Sequence, residues 1–164
     1  MKKVDYKPFL FFSIYAIVLV FPSIGCFNLF DWDEINFAES SREMIVSNNF
    51  FQVMINFEPF HEKPPLYFWL QVISMKIFGV GSFSARLPNV VLSIVFPVIL
   101  FNIGSRLKNK TFGWVWSLIF LSGLLPNLYF RTGIIDPYFN LFIFLSIYFF
   151  FLSITHNKIK NIFF

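Results

Sequence analysis

The chain has 164 residues, of which 57% are hydrophobic and only 13% charged, and its mean hydropathy is +0.67. A soluble domain carries roughly 25% charged residues, so this balance excludes an ordinary soluble domain and places the chain in a bilayer. The net charge of +4 is no sign of nucleic-acid binding, because the basic residues sit in short clusters at helix ends, where charge orients a membrane protein.

Met1, Lys2 and Lys3 precede an apolar run from Phe9 to Phe30. That run is too long for the apolar part of a signal peptide and no small-x-small cleavage site follows it, so it reads as a retained transmembrane helix. The lone Cys26 lies within it and leaves the redox compartment open. Three further stretches are long enough to span, since about 20 helical residues cross a hydrocarbon core. They are 87–107, 112–130 and 137–155. Pro22, Pro97 and Pro126 fall in or near these runs, which membrane helices tolerate when neighbours satisfy the freed carbonyls.

Leu66–Phe78 is apolar but short, and carries Gln71 and Lys76. Segments of about 10–14 apolar residues are more often interfacial than spanning. If this one does not span, Lys2, Lys3 and Lys7, then Arg106, Lys108 and Lys110, then Lys158 and Lys160 all fall on the cytoplasmic side, as the positive-inside rule asks. The expected fold is therefore all-α: an integral membrane helical protein with about four spans, two interfacial helices and both termini cytoplasmic. Its expected location is the inner (plasma) membrane.

Residues 31–86 then form one extracytoplasmic loop that holds seven of the nine acids: Asp31, Asp33, Glu34, Glu39, Glu43, Glu58 and Glu62. Asp33–Val46 has helical spacing. Phe37, Ala38, Ser41, Met44 and Ile45 fall on one side, and Asn36, Glu39, Arg42 and Glu43 on the other. Beside a bilayer such a helix lies in the interface plane. Lys63-Pro64-Pro65 sets the start of a second interfacial helix at Leu66. His61 and His156 are far apart and give no metal signature; His61 reads as a solvated loop histidine.

Three groupings can carry chemistry. Asp31-Trp32-Asp33-Glu34 is either a helix start favoured by the dipole or a carboxylate base at the membrane surface. In Glu58-Pro-Phe-His-Glu62-Lys63-Pro64-Pro65, Lys63 is either one half of a loop ion pair or a point charge for a phosphate. Arg131-Thr-Gly-Ile-Ile-Asp136-Pro137 is a capping pattern that the same topology places on the same outer side as Asp33.

Taken together the groupings resemble a known family. Asp33-Glu34-Ile-Asn-Phe-Ala-Glu39-Ser-Ser-Arg42-Glu43-Met44 is similar to the first outer-loop motif of the GT-C glycosyltransferases that use polyprenyl-phosphate sugars. Glu62-Lys63-Pro64-Pro65-Leu66, Phe78-Gly79 with Ala85-Arg86-Leu87-Pro88, and Arg131 to Asp136 resemble its later motifs in the same order. The nearest likeness is to transferases that place 4-amino-4-deoxyarabinose on lipid A, and more distantly to protein O-mannosyltransferases. Where this chain has Asn36, family members usually carry Arg.

The resemblance implies a membrane glycosyltransferase moving a sugar from a polyprenyl-phosphate donor to a lipid or protein acceptor on the extracytoplasmic side. It implies Asp33 as base, with Asp136 as a second catalytic carboxylate. Lys63 and Arg86 would hold the donor phosphate, and Glu34, Glu62 and Arg42 would orient the site. It leaves room for a divalent cation, as in some relatives, and the metal ligands are unknown. Expected partners are the lipid-linked donor, the acceptor and membrane lipids, without nucleic acid. Family members are much longer, so a truncated form is expected, with a second chain as one source of the missing spans. The alternatives are an inactive fragment or a small non-catalytic membrane-interaction protein; a transporter half fits less well, since no span has a buried ion pair or a broken repeat at its middle.

Overall fold

The computed structural model describes residues 6–30 and 32–155. Asp31, His156 and the basic residues Lys2, Lys3, Lys158 and Lys160 lie outside the described residues. The described chain is helical apart from one two-stranded hairpin, with α1 (Lys7–Tyr15), α2 (Asp33–Ser47), β1 (Met54–Ile55), β2 (Glu58–Pro59), α3 (Leu66–Phe78), α4 (Ser82–Leu107), α5 (Lys110–Ser122), α6 (Leu124–Tyr129) and α7 (Asp136–Thr155). Two of these are long and apolar enough to cross a membrane, α4 and α7.

The helix that starts at Lys7 widens into a π-helical turn at Ala16–Val20, tightens into a 3₁₀ turn at Phe21–Ser23, and stops. Pro22 has no N–H to continue the ladder, and the wider turn before it adapts to that loss. The expected 9–30 segment is thus helical only to Ser23, and residues 24–30 run as turn, bend and irregular chain. The expected 112–130 segment is likewise divided. α5 ends at Ser122, Gly123 is extended (φ −66°, ψ 140°), and α6 begins at Leu124. Pro126 removes a donor, and the Asn127 amide answers the freed carbonyls by donating to Leu121 O and, at 2.9 Å, to Gly123 O. α4 starts five residues ahead of the expected 87–107 boundary, and α7 begins one residue ahead of 137.

α4 is the hub. Its apolar residues Val90, Leu92, Phe96, Leu100 and Phe101 are buried against Phe12, Ala16 and Val20 of the first helical run and against Leu121, Phe130 and Leu141. α4 and α5 approach closely because glycines meet at their crossing. A Cβ on Gly104 would lie 2.9 Å from Gly113 Cα, and one on Gly113 would lie 2.5 Å from Phe101 O. Small residues let membrane helices pack this tightly. α7 differs: almost none of its apolar length is buried, whereas most of α4 is.

A second core lies beneath α2 and α3, built from Phe37, Met44, Val53, Tyr67, Phe68 and Val72. α3 begins at Leu66, where Lys63-Pro64-Pro65 places it. Its opposite face exposes Leu66, Trp69, Ile73 and Ile77, an apolar stripe at helical spacing. α2 follows its expected periodicity with one correction. Glu43, expected on the polar side, is 1% exposed. Its carboxylate accepts the N–H of Phe57 at 2.9 Å, and so holds the hairpin turn, where Asn56 and Phe57 both have positive φ. A two-residue turn with two positive φ values matches the twist of a hairpin.

Candidate functional site

The site is organised by one buried ion pair. The Arg86 Nε donates to Glu34 Oε1 at 2.7 Å and its Nη2 to Glu34 Oε2 at 2.8 Å. Both side chains are 1% exposed. The remaining guanidinium hydrogens go to backbone carbonyls at 2.9 Å: Ile24 and Phe27 from Nη1, Asn28 from Nη2. All five donors of the fork are thereby used. These bonds use the non-helical carbonyls at 24, 27 and 28 that the end of the helix at Ser23 leaves open. Glu34 also accepts from Phe30 N at 2.6 Å and from Gly133 N. A single carboxylate therefore joins the start of α2, the start of α4 and the loop before α7.

Two amides extend this lattice. The Gln71 Nε2 donates to Ala85 O at 2.9 Å and Gly133 O at 3.4 Å, while Gln71 Oε1 accepts from Ser41 Oγ at 2.8 Å. The Asn89 Nδ2 donates to Thr132 O at 2.6 Å and Ile134 O at 2.8 Å. Both amides are fully buried. Gly133 leaves little room for a side chain, since a Cβ would lie 3.2 Å from Ala85 O and 3.3 Å from Glu34 Oε1. The loop 131–135 is thus held against α4 by named hydrogen bonds, and Asp136 follows at the first position of α7.

The expected site residues fall into three groups. Asp33 is exposed at the first residue of α2, directly after Trp32, whose backbone has φ 73°. Its carboxylate makes no hydrogen bond or ion pair among the described residues. Such a backbone in a bulky residue costs of order 1–3 kcal/mol and persists only where surroundings impose it. Asp136 is half-buried. Tyr67 is fully buried, and burial above all, then the negative fields of Tyr138, Glu34 and Asp136, push its phenol well above the ordinary value. Lys63 is half-buried and Glu62 exposed, one turn ahead of Tyr67, and neither makes a hydrogen bond or ion pair among the described residues.

Arg86 and Arg42 are spent elsewhere. The expectation that Arg86 takes the donor phosphate does not fit a guanidinium that is buried and has every N–H engaged. Arg42 bonds Glu39 through Nε at 2.8 Å on the outer face of α2. That bond holds the Glu39 carboxyl below its usual value. Among the described residues no group of three or more His, Cys, Asp or Glu side chains could hold a metal ion, so no step here is routed through a divalent cation. The roles of Gln71 and Asn89 escaped the sequence reading. The available signal was an amide standing in an otherwise apolar helix, which must find partners when buried.

This helical fold, with two helices long and apolar enough to cross a membrane and a buried Glu34–Arg86 pair joining three segments, has known relatives. The family model for dolichyl-phosphate-mannose-protein mannosyltransferases matches residues 62–164, and the chain belongs to that family. It is 29% identical over 79% of its length to an undecaprenyl phosphate-alpha-4-amino-4-deoxy-L-arabinose arabinosyl transferase of Shewanella sediminis. It is 35% identical over 64% of its length to a transferase of the same description from Proteus mirabilis. The fold is similar to ArnT from Cupriavidus metallidurans in the apo state, with TM-score 0.72 and 25% identity over 78% of this chain. The same protein bound to undecaprenyl phosphate gives TM-score 0.72 at 24% identity. The chain spans about a quarter of these proteins' length, 24% of the first relative and 24% of the first structure.

Proposed function

We propose that this chain forms the donor-side part of an inverting glycosyltransferase that uses a polyprenyl-phosphate sugar at the extracytoplasmic face of the inner membrane. The supporting observation is the Glu34 clasp, which brings the Asp33-Glu34, Ala85-Arg86 and Arg131–Asp136 segments to one place. In this reading four spans, 9–30, 87–107, 112–130 and 137–155, carry the 31–86 loop outside, with α2 and α3 at the interface and both termini inside. The apolar outer stripe of α3 suits that placement.

The chemistry follows from what each group can do. Asp33, exposed and uncapped, takes the proton of an acceptor hydroxyl. The acceptor oxygen bonds to the anomeric carbon as the bond from that carbon to the phosphate oxygen breaks. The polyprenyl phosphate leaves with both electrons, beside the Lys63 ammonium. Asp136 supplies a second carboxylate to the site and Glu62 stands beside Lys63, while Arg42, held by Glu39, takes no direct part. Arg86 acts through Glu34 as a positioning residue for Asp33 and for the loop before Asp136. The acceptor is a lipid or a protein.

The test is lipid binding by the chain in nanodiscs, with undecaprenyl phosphate as probe. Lys63→Ala should weaken binding about tenfold, as expected for the loss of one charged contact, and Asp33→Asn should leave it unchanged. Equal binding by Lys63→Ala and the parent chain would refute the assignment. A parent chain that holds no undecaprenyl phosphate would favour a non-catalytic membrane protein.

A further inference from the structure

A cavity of about 430 Å³ opens between the hairpin and the Lys63-Pro64-Pro65 segment, lined by Phe51, Gln52, Phe60, His61, Glu62 and Lys63 among others. Its size falls within the roughly 300–1,000 Å³ of small-ligand pockets. The walls are held from below. Trp69 Nε1 donates to Phe50 O at 2.6 Å, the Lys76 ammonium stands 4.3 Å from the Phe50 ring centre, and Phe60 N donates to Val53 O at 2.8 Å. The polar groups facing the cavity are unspent. His61, Glu62 and Lys63 make no hydrogen bond or ion pair among the described residues. Gln52 is engaged only through Oε1, by Asn49 at 3.5 Å, which leaves its NH₂ free. Phe51 at the rim is 90% exposed.

On the other side of the same prolines lies a cleft of different character. Pro64, Leu66, Tyr67, Ile135, Phe139 and Phe142 line an apolar groove of about 60 Å³. Pro64 borders both spaces. An amphiphile with its phosphate at Lys63 thus meets hydrocarbon walls on one side and donors, acceptors and aromatic faces on the other. Rings such as Phe51 and Phe60 offer flat apolar faces to the C–H side of a sugar, while amide, imidazole and carboxylate groups suit its hydroxyls or a ring amine.

We propose that the hairpin-side cavity is a saccharide subsite that takes a pyranose ring beside Lys63, with Gln52 and His61 as its specificity-determining residues. The proposal rests on the reading of Lys63 as the lipid-phosphate group. The ring comes either from the donor or from the sugar headgroup of a lipid acceptor, and the experiment separates the two.

The chain in nanodiscs is titrated with undecaprenyl phosphate, with undecaprenyl phosphate carrying 4-amino-4-deoxyarabinose, and with lipid A, with native mass spectrometry reading the bound fraction. For a donor ring, the glycosylated lipid binds about tenfold tighter than the bare phosphate, the worth of one or two additional hydrogen bonds. Gln52→Ala and His61→Ala then each bring that ratio toward one without changing binding of the bare lipid. For an acceptor ring, the same variants lose lipid A binding and leave the donor ratio alone. If Gln52→Ala and His61→Ala alter neither the ratio nor lipid A binding while bare undecaprenyl phosphate still binds, the subsite is wrong and the Lys63 reading stands. If no lipid phosphate binds to the parent chain, the Lys63 reading fails and takes the subsite with it. Unchanged far-ultraviolet circular dichroism in both variants guards against misfolding as the cause of any loss.

Discussion

Replacing Arg86 by alanine would leave the Glu34 carboxylate, 1% exposed, without its cationic partner. Breaking a buried pair from one side costs about 3–5 kcal/mol, because the remaining charge stays uncompensated. Arg86→Ala should therefore lower the thermal midpoint in detergent sharply. The double variant Glu34→Gln, Arg86→Met should recover part of the loss, and a double-mutant cycle would measure the coupling. Tyr67 gives a second residue-scale prediction, on pH. Its folded-state value is raised, so its neutral form is the one the fold prefers. The stabilisation it contributes is complete below the unfolded value of about 10 and is lost as pH rises above it. Alkaline titration of tyrosinate absorbance should find Tyr67 silent at pH ~10.5. The curves of the parent chain and Tyr67→Phe should then coincide, while thermal stability of the parent falls more steeply above pH ~10 than that of the variant.

What could be read at this scale from sequence was limited by distance along the chain. The Glu34–Arg86 pair joins positions 52 apart and the Glu34–Gly133 bond positions 99 apart. Charges are assigned to surfaces by default, which is right for Arg42 with Glu39 and wrong for Glu34, Glu43 and Arg86. The start of α3 was legible because two consecutive prolines are a local cause. The burial of Glu43 was not, because its partner is the backbone of a hairpin turn whose Asn-Phe pair is no ordinary turn signal.

At the scale of elements, the α4–α5 crossing is the most exacting contact. Gly113→Ala would drive a methyl group to 2.5 Å from Phe101 O and Ser105 Oγ. Since backbone stands on one side, the helices must part, and overpacking of this kind costs about 1–3 kcal/mol. A lowered thermal midpoint in detergent, with little change at the control Gly81→Ala, where no atom lies within 4 Å of the added carbon, would bear this out. Apolar run length found these elements but could not see their interruptions. The break at Gly123 and the early stop after Ser23 both occur where a proline removes a donor and a side chain takes a nearby open carbonyl: Asn127 on Gly123 O in the first case, Arg131 on Leu19 O in the second.

For the whole molecule, the decisive measurement is sidedness. With Cys26→Ser as background, a single cysteine at Asn109, in the short turn between α4 and α5, should resist a membrane-impermeant maleimide added from outside. A cysteine at Asn56 in the hairpin turn should react. Labelling of Asn109→Cys from the outside would reverse the orientation and remove the 31–86 loop from the face where the proposed transfer occurs. The charge pattern argues for the expected result, because Arg106, Lys108 and Lys110 flank that turn.

The close meeting of Gly104 and Gly113 has a consequence for biogenesis. The two glycines are nine positions apart and joined by a turn that the Asn109 side chain caps through Phe112 N at 2.9 Å. Contacts this local form early and at small entropic cost, so α4 and α5 can pair as a helical hairpin soon after leaving the ribosome. The Glu34 clasp has the opposite kinetics. Its last bond cannot form until the segment containing Gly133 has been made, nearly a hundred residues after Glu34 itself. Between those events the Glu34–Arg86 pair can form, but it is not yet tied to the loop before α7 and is more open to quality-control proteolysis. A substitution that weakens the clasp would then show first as a lower amount of protein in the membrane.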